Sequence, residues 1–366
     1  MGGVLLYLSA DARSDRCLLL TWHTSGMFVA LGAVSPIGRG PLESDGHFLG
    51  VDLRAVRSHL DRGGRRRPKG PLRDSAPNHQ DSQCMEQISY STQGFIDREI
   101  APALEAIAAA GFSQAEISSQ SPHACSPLTG NELDRFRSHL SASGVSAGTV
   151  HAPMRENVLG APDEVWRREK MPVMADYLRF TGAIGAAGLV IHPVPNPMFV
   201  TDPERAELSA LMCDATRRSL DELVPVAQDA GVRMLLENLP YNCGYPFLNV
   251  RELRPLIDPY PQDAVGLVVD TGHAWTSGDD PAEEIRLAGS RLWGTHLQDV
   301  DGENPQDNHW VPGHGGLNWP SIRAALDDVG YRGARTFEVI VPRYGESLEE
   351  LSRLTREAAS SWGWDA

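Results

Sequence analysis

The chain has no CxxC pair. Its five cysteines, Cys17, Cys84, Cys125, Cys213 and Cys243, are scattered and odd in number, which excludes a disulfide framework or a thiolate zinc knuckle. Cys243, which follows a strand-like segment ending at Glu237, reads as a free loop cysteine. Lysine is almost absent, with Lys69 and Lys170 set against 31 arginines. Neither lysine falls at a predicted strand end, so lysine Schiff-base chemistry is not expected. No apolar run reaches the roughly 18 to 20 residues that a membrane-spanning helix needs. The opening LLYLSADARSD is broken by polar residues, unlike a secretion signal, and a cytoplasmic protein without a membrane partner is expected.

Positive charge is also scarce where a polyanion would need it. Residues 1–84 carry 11 Lys/Arg and 8 Asp/Glu, net +3, which leaves 22 against 40, net −18, for residues 85–366. A body that acidic repels a nucleic-acid backbone unless a local basic groove or bound metals reverse the field. A nucleic-acid partner is therefore not expected.

What is present divides the chain at Met85. Residues 1–84 sustain neither a helical nor a strand period, and RGGRRRPKGPLRD and SAPNHQDSQ read as linker or disorder. Arg65 to Arg67 read as a solvated charge run. From Met85 strands and helices alternate. The strands are QISYS, FSQAEIS, VSAGTVHAP, LVIHP, VRMLLEN, VGLVVDTGH, RLWGTHLQD and ARTFEVI, each followed by an amphipathic stretch. Eight such units in residues 85–366 predict a (β/α)8 TIM barrel. The rival, a doubly wound open sheet, lacks its glycine-rich loop after the first strand. Helix-glycine-strand junctions at Gly111, Gly144, Gly188, Gly231 and Gly330 read as helix C-caps.

In a TIM barrel, active-site groups sit at the C-terminal ends of the strands. Those ends carry His151, His192, Glu237, Asp270 with His273, His296, the loop residues Asp307 and His309, and Glu338. Any one alone reads as a capping or hydrogen-bonding residue. Together they recur in phase over six consecutive units, where ionised carboxylates on buried strands are costly without a compensating partner. Oxygen and imidazole donors without thiolates suit Mn2+, Co2+, Zn2+ or Fe2+. Asp299 and Asp301 read as turn residues or as partners orienting His296, and His314 as a loop residue near the site or simply exposed. Trp275, Trp310 and Tyr245 read equally well as a wall for a sugar ring and as packing beneath loops.

The stretches LLEN, VGLVVDTGHA, THLQDVDG, DNHWVPGHGGLNWPSI, ALDDVGYRG and TFEVI resemble the xylose isomerase-like superfamily of TIM barrels. That superfamily includes sugar and sugar-phosphate isomerases and epimerases and the endonuclease IV-type apurinic-site nucleases. In the isomerase branch the resemblance implies one metal held by Glu237, Asp270, His296 and Glu338, with Glu237 and Glu338 moving the proton on opposite faces of a small sugar, cyclitol or sugar phosphate. A related keto-polyol dehydratase is a variant of the same chemistry. In the nuclease branch the full set of nine residues corresponds to the ligands of three zinc ions, so more than one ion is implied there. The PGHGG loop departs from the acidic GEG form of both branches, with His314 in place of the glutamate. The resemblance also implies a homo-oligomer.

Overall fold

The computed structural model describes residues 16–23, 26–33, 87–241 and 243–364. The chain divides into two units, Met1–Pro77 and Asn78–Ala366. In the first, β1 (Arg16–His23) and β2 (Gly26–Ala33) pair antiparallel, from Arg16 opposite Ala33 to His23 opposite Gly26. The linker-like reading of residues 1–84 contained no strand here. The apolar runs LLLTWH and MFVALG lack the alternation that marks a half-buried strand. The remainder of that segment, including Arg65 to Arg67, lies outside the described residues.

The second unit is a closed barrel with the expected eight parallel strands. They are β3 (Ile88–Ser91), β4 (Gln114–Ser118), β5 (Ser146–His151), β6 (Gly188–Ile191), β7 (Arg233–Glu237), β8 (Val265–Asp270), β9 (Leu292–Leu297) and β10 (Arg335–Phe337). Each pairs with the next in the chain, and β10 closes on β3. Helices α1 (Ile100–Ala109), α2 (Gly130–Ser143), α3 (Glu164–Ala183), α4 (Leu208–Ala230), α5 (Val250–Ile257), α6 (Thr271–Thr276), α7 (Pro281–Ala288), α8 (Trp319–Asp328) and α9 (Leu348–Ser361) complete it. Many begin on a side-chain cap. Asp163 accepts the amide of Trp166, Asn249 that of Glu252 and Ser347 that of Glu350, which relieves backbone donors that a helix start leaves unpaired.

Alternation along the strands aims the site residues. Leu189, Ile191, Met234, Leu236, Leu267 and Val269 join the large apolar core. Val190, Leu235 and Val268 form a separate cluster with Trp293, as expected of the opposite strand face. Two residues beyond this inner trio come His192, Glu237 and Asp270, which therefore point into the barrel mouth. Asp270 pairs with His296, bringing a fourth group to the same level.

Two junctions differ from the sequence reading. VGLVVDTGH is not one strand: Asp270 ends β8, and its carboxylate accepts the His273 amide at 2.7 Å as the cap of α6. Gly188 is not a helix cap but the first residue of β6, where a Cβ would meet Leu235 at 2.8 Å. The positive φ of that junction falls on Gly185 instead.

One buried carboxylate outside the mouth makes stability depend on pH. Glu284 of α7 is 2% exposed and accepts the Val250 amide at 2.6 Å at the start of α5. Burial pushes its pKa up to about 7 against the opposing pull of that bond. An acid with a raised folded-state pKa favours the protonated fold, so its contribution is complete below the ordinary glutamate value and is lost as pH rises through about 7. Glu284→Gln should keep the acceptor and remove the titration. Between pH 5 and 8 the parent should lose on the order of 2 kcal/mol relative to the variant in urea unfolding, and parallel losses would place the linkage elsewhere.

Candidate metal centre

All nine residues singled out from the strand ends lie together at the barrel mouth. Donor atoms of Glu237, Asp270, His296 and Glu338 fall within 4.8 Å of one another, as do those of His151, His192 and Glu237, and those of His273, Asp307 and His309. His151, His296 and Glu338 form a further overlapping set. Glu237 is shared and fully buried. Its Oε1 lies 2.7 Å from Nδ1 of His296, while its Oε2 faces Nε2 of His151 at 3.4 Å and Nε2 of His192 at 3.3 Å. Asp307 Oδ1 plays the same part opposite, 3.3 Å from His273 Nε2 and 2.9 Å from His309 Nε2.

The outer nitrogen of each imidazole is tied back, which fixes the ring and the nitrogen presented to the mouth. Nδ1 of His151 donates to the Ala152 carbonyl (2.9 Å), that of His273 to the Asn238 carbonyl (2.9 Å) and that of His309 to the Glu338 carbonyl (3.0 Å). His192 Nδ1 meets the Tyr241 hydroxyl at 3.3 Å. In these four rings Nε2 is left facing a carboxylate. His296 is reversed: Nδ1 faces Glu237, and Nε2 donates to Glu116 Oε2 at 3.1 Å.

Two amides that the sequence reading passed over hold the carboxylates. Gln298, fully buried, donates from Nε2 to Asp270 (3.2 and 3.3 Å) and to Asp307 Oδ1 (3.0 Å), and its Oε1 accepts the His309 amide at 2.7 Å. Asn238 exchanges both of its amide groups with the Asp270 backbone. His309 sits at φ +50°, a conformation costly for a residue with a Cβ. The Gln298 bond and the Ile340 and Val341 amides, which donate to its carbonyl, hold it there.

Burial and mutual charge set the electrostatics. Burial pushes Glu237 up, but the neighbouring His296, His151 and His192 rings outweigh it and hold the carboxyl well below its ordinary value. Asp307 is likewise held well below against burial, by His309 and His273. Asp270 is the exception, raised to about 6 chiefly by burial. Burial lowers His192. In the other rings burial is outweighed by neighbouring carboxylates, which raise His151 to about 9, His309 to about 10, and His273 and His296 well above the usual imidazole value.

The donor set fits divalent cations. It offers only oxygen and ring nitrogen, the rings are oriented from behind, and the buried Glu237 Oε2 has no hydrogen-bond partner despite two nitrogens within 3.4 Å. Such a carboxylate oxygen is well matched to a cation.

The remaining sequence candidates have other partners. Asp299 accepts the backbone amides of Gly313 and Leu317 and the indole N–H of Trp319, and so ties the PGHGG loop rather than orienting His296. Asp301 accepts the amides of Glu303 and Asn304 in a turn. His314 lies 3.9 Å from Glu346 and belongs to none of the donor sets. Trp275 donates to the Gly302 carbonyl, Trp310 carries the Arg343 guanidinium at 4.1 Å, and Tyr245 packs edge-on against Tyr241.

The family model described as a xylose isomerase-like TIM barrel matches residues 104–361. The chain belongs to this family. Within it, the chain is 26% identical to the D-psicose 3-epimerase of Enterocloster bolteae, over 68% of this chain and 79% of that protein. It is also 26% identical to a probable endonuclease 4 of Thermoplasma acidophilum, over 59% and 74% respectively. The solved structure of an IolI protein with a bound zinc atom superposes with a TM-score of 0.63 at 18% identity, covering 75% of this chain and 97% of that one; at that identity the likeness concerns the fold.

Proposed function

We propose that the chain is a divalent-metal-dependent isomerase or epimerase of a small sugar, cyclitol or sugar phosphate. The carrying observation is the convergence of Glu237, Asp270, His296 and Glu338 donor atoms within 4.8 Å at the barrel mouth, and the similarity to a D-psicose 3-epimerase supports the substrate class. A divalent cation held there, whether Mn2+, Co2+, Zn2+ or Fe2+, would polarise a carbonyl and its neighbouring hydroxyl and acidify the C–H between them. The chain's own residues then move the proton. The Glu237 carboxylate takes it, and Glu338, at the end of β10 and carrying a proton from solvent, gives that proton to the other face or to the adjacent carbon and is left as the carboxylate. Asp270, held by Gln298 and Asn238, orients.

A second reading, a multinuclear phosphoesterase, is favoured by the two additional donor sets, His151/His192/Glu237 and His273/Asp307/His309, and by the similarity to a probable endonuclease 4. Against a nucleic-acid substrate stands the net charge of −18 on residues 85–366. The discriminating experiment incubates the metal-loaded protein in D2O with a panel of keto-sugars and inososes. Metal-dependent uptake of deuterium next to the carbonyl is expected. No uptake with any member, together with cleavage of abasic DNA, would overturn the first reading in favour of the second.

A further inference from the structure

His296 is the one imidazole of the site whose outer nitrogen is hydrogen-bonded to a carboxylate; His273 Nδ1, though 3.4 Å from Glu237 Oε1, is bonded to the Asn238 carbonyl. Its partner Glu116 comes from β4, on the far side of the ring from the other carboxylates, and is 1% exposed. How the side chain reaches this point follows from the local register. The β4–β5 pairing runs Ala115 to Ala147 and then Glu116 to Thr149, skipping Gly148. Ala115 and Ile117 join the large apolar core, so strand alternation turns Glu116 to the inner face, and the skipped residue brings Thr149 opposite it. A Cβ at Gly148 would lie 2.5 Å from the Gln114 amide oxygen, so a larger residue there would displace that side chain. Glu116 Oε2 then accepts both His296 Nε2–H (3.1 Å) and the Thr149 hydroxyl (2.7 Å), while Oε1 is buried without a hydrogen-bond partner.

We infer that Glu116 is the positioning residue of His296: by accepting the Nε2 proton it commits Nδ1, which faces Glu237, Glu338 and Asp270 at 2.7, 3.3 and 4.0 Å, as the nitrogen presented to a cation. The stacked His151 ring, 5.7 Å away at 19°, holds the plane of His296. A carboxylate behind a ligating imidazole fixes its tautomer and increases its donor strength. The inference rests on the metal-binding part of the proposed function and not on the reaction.

The test is site-resolved and needs no substrate. Crystals of the intact chain, stripped of metal and equilibrated against chelator-buffered Co2+, are measured by anomalous diffraction for occupancy between Glu237, Asp270, His296 and Glu338. Glu116→Gln, which keeps size and an acceptor but loses the charge, should raise the half-saturating Co2+ concentration about 10- to 100-fold. Thr149→Val removes the other partner of the same carboxylate but leaves His296 paired, and should stay within about threefold of the parent. Nitrogen-15 imidazole spectra of the parent loaded with diamagnetic Zn2+ should place the single His296 proton on Nε2. If Glu116→Gln does not fold, Glu116→Asp, with its carboxylate one methylene short of the ring, serves in its place. Parent-like occupancy in the Glu116 variant, or an equal shift in Thr149→Val, would overturn the inference by reducing Glu116 to a packing role. A protein that loads Co2+ as expected but turns over no sugar would count against the isomerase reading alone.

Discussion

Glu237→Gln is expected to abolish proton exchange between substrate and solvent, a fall of about 10³-fold or more, while leaving the barrel folded. Two effects combine. A positioned general base contributes about 10² to 10⁴, and an amide nitrogen or oxygen cannot take its place. In addition, Glu237 is the residue shared by the four-donor set and the His151/His192 set, so the substitution weakens both at once. The fold should persist, because glutamine matches the shape of the side chain and the neutral amide can still hydrogen-bond His296 Nδ1. The measurement is deuterium uptake in D2O with metal in excess, read beside circular dichroism. Parent-rate exchange in the variant would eliminate the two-carboxylate mechanism.

The reason Glu237 could be picked out from sequence also explains what could not. A barrel strand buried on both faces is an apolar run, so an acid or imidazole at its end stands out, and its phase with Leu235 aims it inward. The same signal was available for Glu116, the one acid in FSQAEIS. It went unread because it stands two residues before the strand end and because its contact with His296, which joins β4 to β9 across the barrel, is invisible in one sequence. Gln298 and Asn238 carry no charge and gave no signal, although both directly follow strands that bring donor residues to the mouth, in HLQD and LLEN. Their roles depend on cross-strand contacts with Asp270 and on a loop returning Asp307 and His309. Asp270 and His273 were found as a pair, but the turn from strand to helix between them was not. A Thr-Gly pair after an apolar strand is compatible with continued extension, and only the cap bond from Asp270 to the His273 amide decides otherwise.

The second large effect concerns how many ions the mouth holds. Asp307→Ala should release one equivalent of metal per chain and leave deuterium exchange within about tenfold of the parent. Asp307 is the only carboxylate of the His273/Asp307/His309 set, and its Oδ1 is the point at which both imidazoles and Gln298 Nε2 meet. Removing it leaves two neutral donors, too few for a stable site. The four-donor set should survive, because Glu237, Asp270, His296 and Glu338 come from strand ends. Gln298 also retains its bonds to Asp270 and to the His309 amide. Metal content by mass spectrometry and exchange rate are thus separable readouts. Unchanged metal content would mean that this set holds no ion. Loss of one equivalent together with loss of all sugar exchange would tie the extra ion to the chemistry itself and weigh toward the multinuclear reading, because proton transfer between Glu237 and Glu338 needs nothing from Asp307.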